Sequence, residues 1–171
     1  LQVKTIKSVP LTIPFKGKLL VQGECMMTNS SFEEYNKTAE IPLKNPRNGV
    51  AGAVRNLDPK ETEKRKLDYF CYDVLLIDGV QFTTQQEMNT FIKEQGFITD
   101  SYFKIINSLE DAVKEIEAVD QVKDNLDTMI DGMVIKINDC SKREDIGYTN
   151  KFPKWAMAWK FKAVELSTTL L

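Results

Sequence analysis

Apolar residues recur along this chain with two spacings: alternation over short runs, and intervals of three or four over longer ones. Strands and helices are therefore interspersed. KLLVQGECMMT (18–28) predicts a strand with Gly23 in its middle, and YFCYDVLLIDG (69–79) predicts a central strand closed by Asp-Gly. In DGMVIKIN (131–138), Met133, Ile135 and Ile137 share one face, while Val134, Lys136 and Asn138 share the other. WAMAWKFK (155–162) sets Trp155, Met157, Trp159 and Phe161, a wall suited to a core, against Ala156, Ala158, Lys160 and Lys162. Helical spacing of Met88, Phe91 and Ile92, with Gly96 as the stop, predicts a helix over 83–96. Ser108 opens another over 108–119, whose stripe is Leu109, Ala112, Val113 and Ile116. SSFEEYNKTAE (30–40) predicts a short helix capped by Ser30 or Ser31. NPRNGVAGAVRNLDP (45–59) predicts one capped by Asn45, with Pro46 at the first helical position. KETEKRK (60–66) reads as a solvated turn or helix face, SKRED (141–145) as a polar turn, and 1–17 as an edge or connection. The order lacks a strict βαβ rhythm, so the expected class is α+β, with mixed, largely antiparallel sheets and flanking helices.

Composition removes several chemistries. There is no histidine, which excludes Ser-His-Asp triads, Cys-His pairs and histidine-bound metals within these residues. Neither GxxxxGK[ST] nor GxGxxG occurs, so phosphate must be handled by Lys, Arg and helix ends. Lys+Arg 23 against Asp+Glu 25 leaves a net charge of −2, so any nucleic-acid surface has to be a local patch. No apolar run is long enough for a membrane span, and no signal-like N-terminus is seen. Cys25, Cys71 and Cys140 are odd in number and far apart, which predicts free thiols and a cytoplasmic setting. The chain of 171 residues suffices for one domain, and Leu1 in place of Met predicts a piece of something longer.

Against that background a few side chains stand out. A lone strand lysine ordinarily faces water. Here Lys136 and Lys160 occupy two strands, and Ala156 and Ala158 beside Lys160 leave volume that a pocket would use. Glu24 follows Gly23, and a glycine in a strand admits a ligand or another backbone. Tyr72 is either a core residue or a stacking platform. The helix beginning at Pro46 offers free N–H groups, the positive end of its dipole and Arg47, an anion site in outline. Its small residues admit close approach of another backbone. Arg55 lies eight residues on, about 80° round the helix, so both arginines can serve one surface. Two lysines, two arginines, a carboxylate and an aromatic ring make the inventory of a nucleotide site.

VQGE, IPLKNPRNGVAGAVRNLDP, YFCYD, DGMVIK and KWAMAWKF, in this order and spacing, resemble the adenylation domain of bacterial NAD-dependent DNA ligases. The resemblance runs end to end, and LQVKTIKSVPLTI resembles the segment after that family's nucleophile. It implies an ATP-grasp-like nucleotidyltransferase core, incomplete at its N-terminus, over 1–164, with 165–171 starting a linker. It also implies that AMP passes from NAD to a lysine, then to the 5′-phosphate of nicked double-stranded DNA, whose 3′-hydroxyl seals the nick. By motif, Glu24 would contact the ribose or a hydrated magnesium ion, and Tyr72 would stack on adenine. Lys136 and Lys160 would hold the adenylate phosphate. Arg47 and Arg55 would serve phosphates of the cofactor and of the DNA, and Asp131 would shape the lysine strand or act as a plain turn carboxylate.

The departures are equally specific. No KxDG motif, which carries the family's nucleophilic lysine, occurs in the 171 residues. The N-terminal nicotinamide-binding, OB-fold, zinc-finger, helix-hairpin-helix and BRCT modules are also missing, so this chain alone is expected to be inactive. Gln22 and Lys123 stand where the family commonly has arginine. Two alternatives are a non-catalytic nucleotide- or DNA-binding relative that has lost the nucleophile, and another nucleotidyltransferase of the superfamily, an ATP-dependent ligase or a capping enzyme.

Overall fold

A computed structural model describes residues 2–100 and 102–162 of the chain. The expected linker at 165–171 lies outside the described residues. Among these, four strands form two separate antiparallel pairs flanked by six α-helices, an α+β arrangement as expected. Strand β1 (Leu19–Met26) pairs with β2 (Asp68–Ile77), and β3 (Gly132–Lys136) pairs with β4 (Ala156–Lys160). None of the described helices is long and apolar enough to cross a membrane.

Local chemistry accounts for most helix ends. Helix α2 (Pro46–Arg55) has Asn45 as its cap, accepting from the Asn48 N–H, and Pro46 at its start. Thr84 and Glu87 form a full capping box on α4 (Gln85–Glu94), and Gly96 follows its end at φ 86°. Ser108 caps α5 (Leu109–Val122). Three segments differ from expectation. Helix α1 (Asn29–Thr38) is capped by Thr28 rather than Ser30 or Ser31, because Thr28 Oγ1 accepts from the Ser31 N–H. Asp58 restarts the chain as α3 (Pro59–Lys64), so the helix expected over 45–59 ends at Arg55. The polar stretch at 141–145 is a helix, α6 (Cys140–Ile146), capped by Asp139 and stopped by Gly147 at φ 72°.

Two small cores meet at Tyr69. Ile6, Met27, Ala53 and Leu67 form one beneath β1 and α2; Cys71, Met88 and Ile92 form the other between β2 and α4. Gly23 serves this packing and not a ligand. A Cβ there would lie 2.3 Å from the Phe70 carbonyl oxygen and 2.5 Å from the Tyr69 ring. The small residues of α2 likewise admit a side chain in place of another backbone. The Arg65 guanidinium lies on Gly52, donates to the Gly49 carbonyl and covers the Tyr35 ring.

Three features position the site. The two sheets are tied at both ends of β3. Before it, Asp127 accepts from the Asn29 and Ser30 N–H groups; after it, the Asn138 carbonyl accepts from the Gln85 N–H. Behind that second tie sits Arg143, only 7% exposed. Its Nε donates to the Ile137 carbonyl at 2.7 Å, its Nη2 donates to Gln85 Oε1 at 2.9 Å, and its guanidinium covers Trp155. Finally, β2 is bulged. Gly23 pairs with Cys71 and Gln22 with Asp73, leaving Tyr72 unopposed, and a second shift leaves Leu75 unopposed. Tyr72 therefore does not share a face with Val74 as alternation predicts, and Val74 packs with Cys71 and Met88. Trp155, the residue before β4, is buried, but none of the strand itself is. Met157 and Trp159 are half exposed, because the face they share with the partly buried Met133 and Ile135 is only partly covered among the described residues.

Candidate functional site

Gly132 pairs with Lys160 and Lys136 with Ala156, so the two lysines stand on one face of the β3–β4 pair, four residues apart in register. At about 3.3 Å per residue their Cα atoms are separated by about 13 Å. Val134 and Ala158 lie between them, giving the small-residue floor that the alanine pattern of β4 predicts. The lysines flank a shared surface rather than converging on one point.

At one end, Lys160 Nζ donates to Asp131 Oδ2 at 2.6 Å and is largely exposed. That hydrogen bond is the main reason the Asp131 pKa falls below its usual carboxylate value, and Arg47 contributes electrostatically. Arg47 at the exposed start of α2 thus belongs to this end. Arg55 does not. It closes α2 about 12 Å further along the helix axis.

At the other end, Lys136 is buried to a degree that a plain strand lysine is not, its side chain being 20% exposed. Its ammonium lies 5.3 Å from the centroid of the Tyr72 ring and donates to Asp73 Oδ2 at 3.2 Å. It also reaches the Tyr72 carbonyl, which Gln85 Nε2 holds from the other side. Burial raises the Tyr72 phenol pKa, and the charges of Glu24, Asp73 and Asp100 add to the effect, which places these carboxylates around the ring. Glu24 itself is exposed on β1.

Asp100 is exposed, yet partial desolvation by neighbouring protein atoms raises its pKa. Lys136 opposes that shift and Glu24 adds to it. A carboxylate with a raised folded-state pKa contributes stability below the ordinary carboxylate range and loses it as pH rises through the shifted value. Asp100→Asn is therefore expected to raise the melting temperature at neutral pH and to change nothing in acid below that range. Equal melting curves at neutral pH would contradict the partial desolvation of this charge.

Lys123 pairs with Asp120 at 2.5 Å and lies over the Phe161 ring, so its described contacts secure the end of β4. Gln22 is an exposed residue of β1. Among the described residues no group of three or more Asp, Glu or Cys is arranged to hold a metal ion. Glu24 could supply at most one ligand to a magnesium ion otherwise coordinated by water and phosphate, the usual habit of that ion. Three residues of the site escape alternation and motif reading: Asp73, Asp100 and Arg143. Asp73 follows Tyr72, and regular alternation sends the two to opposite faces; only the bulge lets both reach Lys136. A strand residue directly after a ring was the available signal.

The sequence matches the NAD-dependent DNA ligase adenylation domain family over residues 1–164. It is 51% identical over 169 residues to a DNA ligase of Alkaliphilus oremlandii, and 51% identical over 170 residues to one of Clostridium botulinum. Each match takes in 99% of this chain and 26% of the relative, so the chain spans about a quarter of those proteins. With the match extending over all of the described site, the chain belongs to the NAD-dependent DNA ligase adenylation domain family.

Proposed function

We propose that this chain is the nucleotide-binding part of a ligase that takes AMP from NAD onto a lysine, passes it to the 5′-phosphate of a DNA nick and seals the nick. The observation that carries the reading is the polarity of the β3–β4 face. Around Lys136 stand Asp73, Asp100 and Glu24, an excess of negative charge that repels phosphate and suits the neutral nucleoside, with Tyr72 as the stacking ring. Around Lys160 two cations face one carboxylate, which suits the adenylate phosphate. The motif resemblance gives both lysines to the phosphate; the geometry favours dividing them, Lys160 with Arg47 for phosphate and Lys136 for the nucleoside end.

In the transfer, a lysine amine forms a P–N bond to the adenylate phosphorus as the P–O bond to nicotinamide mononucleotide breaks. That lysine belongs to a KxDG motif that the 171 residues do not contain. Lys160 and Arg47 stabilise the charge that builds on the phosphoryl oxygens. Magnesium, held by phosphate oxygens with Glu24 reached through water, would lend further charge. Arg55, away from the nucleotide, is placed to meet the phosphates of nicked duplex DNA. The setting is cytoplasmic, and the role is DNA replication and repair.

The test is the full-length protein incubated with NAD labelled in its adenylate phosphate, followed by nicked duplex. A covalent, acid-labile protein–AMP adduct that disappears as nicks are sealed is expected, and Lys136→Ala should raise the KM for NAD about tenfold or more. No adduct from NAD would identify a non-catalytic relative, and an adduct from ATP alone would identify an ATP-dependent enzyme.

A further inference from the structure

The Tyr72 bulge does more than turn a ring toward the β3–β4 face. It also presents the next carboxylate to the same lysine. We propose that Asp73 is a positioning residue, aiming the Lys136 ammonium at the Tyr72 ring and keeping it from swinging to phosphate. The inference rests on the reading of the Lys136 end as a nucleoside pocket.

The carboxylate is well suited to that task. Asp73 Oδ1 accepts from the Val74 N–H at 3.1 Å, and Oδ2 accepts from Lys136 at 3.2 Å, so the group is fixed between backbone and lysine. Both side chains are largely buried, Asp73 at 15% exposure, which leaves the pair less screened than a surface contact. Lysine is a point charge on a flexible four-carbon stem and needs such a constraint to hold one direction. The alternatives are poorer. The Tyr72 carbonyl is a long 3.4 Å away, and Asp100 acts on Lys136 only electrostatically. An ordinary strand ion pair would serve stability alone. This pair sits over an aromatic ring, and the strand irregularity that permits it costs β1–β2 its regular pairing.

The experiment compares Asp73→Asn, Lys136→Met and the double variant in the full-length ligase, reading KM and kcat for NAD in adduct formation. Asparagine keeps the shape and the acceptor for Val74 but removes the charge. Asp73→Asn is expected to raise KM about tenfold, with the larger part of the effect in KM rather than kcat. In the Lys136→Met background Asp73→Asn is expected to add nothing, since its effect runs through the lysine. Asp73→Glu should recover part of the loss. A wild-type KM for Asp73→Asn, or an equal further rise in the Lys136→Met background, overturns the inference. Simple destabilisation would persist without the lysine and so counts against it. An unchanged KM for Lys136→Met would instead sink the nucleoside-pocket reading beneath it.

Discussion

Lys160→Ala in the full-length protein is expected to slow the proposed AMP transfer from NAD by about 100- to 1,000-fold while leaving the melting temperature unchanged. The two halves of this expectation have separate causes. Lys160 is 66% exposed, and its partner Asp131 is 63% exposed, so their ion pair adds little to folding. The same exposure leaves the ammonium free to leave Asp131 for an incoming anion, and Arg47 is near enough to act electrostatically on Asp131. Charge stabilisation in the transition state is where such contacts have their largest effect. Adduct formation at a near-normal rate would remove Lys160 from the phosphate site. A lowered melting temperature would show that it supports β4.

Arg143→Ala is expected to cost about 3 kcal/mol of stability, read as a shift in the urea midpoint of the chain. Its guanidinium is held by two acceptors from different elements, the Ile137 carbonyl and Gln85 Oε1, with Trp155 against its face. Truncation leaves those two oxygens buried without donors and opens space beside the indole. Arg143→Lys should recover little, because one ammonium cannot span both oxygens at the guanidinium's fork geometry. A loss under about 1 kcal/mol would mean that water replaces the guanidinium at no great cost. Gln85 also donates to the Tyr72 carbonyl, so this variant is expected to loosen the Tyr72 end of the face as well.

What was legible in the sequence is what local chemistry determines. Asn45-Pro46, Ser108 and Gly96 mark helix ends through bonds made within a few residues, and those ends stand where the sequence puts them. The alternation in 131–138 and 155–162 divides Val134 and Lys136 from Met133 and Ile135, and Ala158 and Lys160 from Met157 and Trp159; that the two lysines then share one face follows only from the unshifted register of β3 on β4. What escaped depends on distant partners. The bulge at Tyr72 exists only in the register against β1, so neither the true company of Val74 nor the reach of Asp73 follows from YFCYD itself. Gly23 and Gly52 announced close approach, but the occupants are the Phe70 carbonyl with the Tyr69 ring, and Arg65. Arg143 sits in a run of five polar residues, and only the tertiary fold folds it inward onto Trp155.

Both lysines of the β3–β4 face already hold a tethered carboxylate, Asp131 for one and Asp73 for the other. A counter-ion attached to the same fold never dilutes away, so chloride or free phosphate gains little by competing at either end alone. A molecule that spans both ends displaces only the exposed Asp131 and rests on the intact Lys136–Asp73 pair at the other end. On that account simple salts leave the surface untouched, and discrimination among anions comes from length before any atom of the base is read.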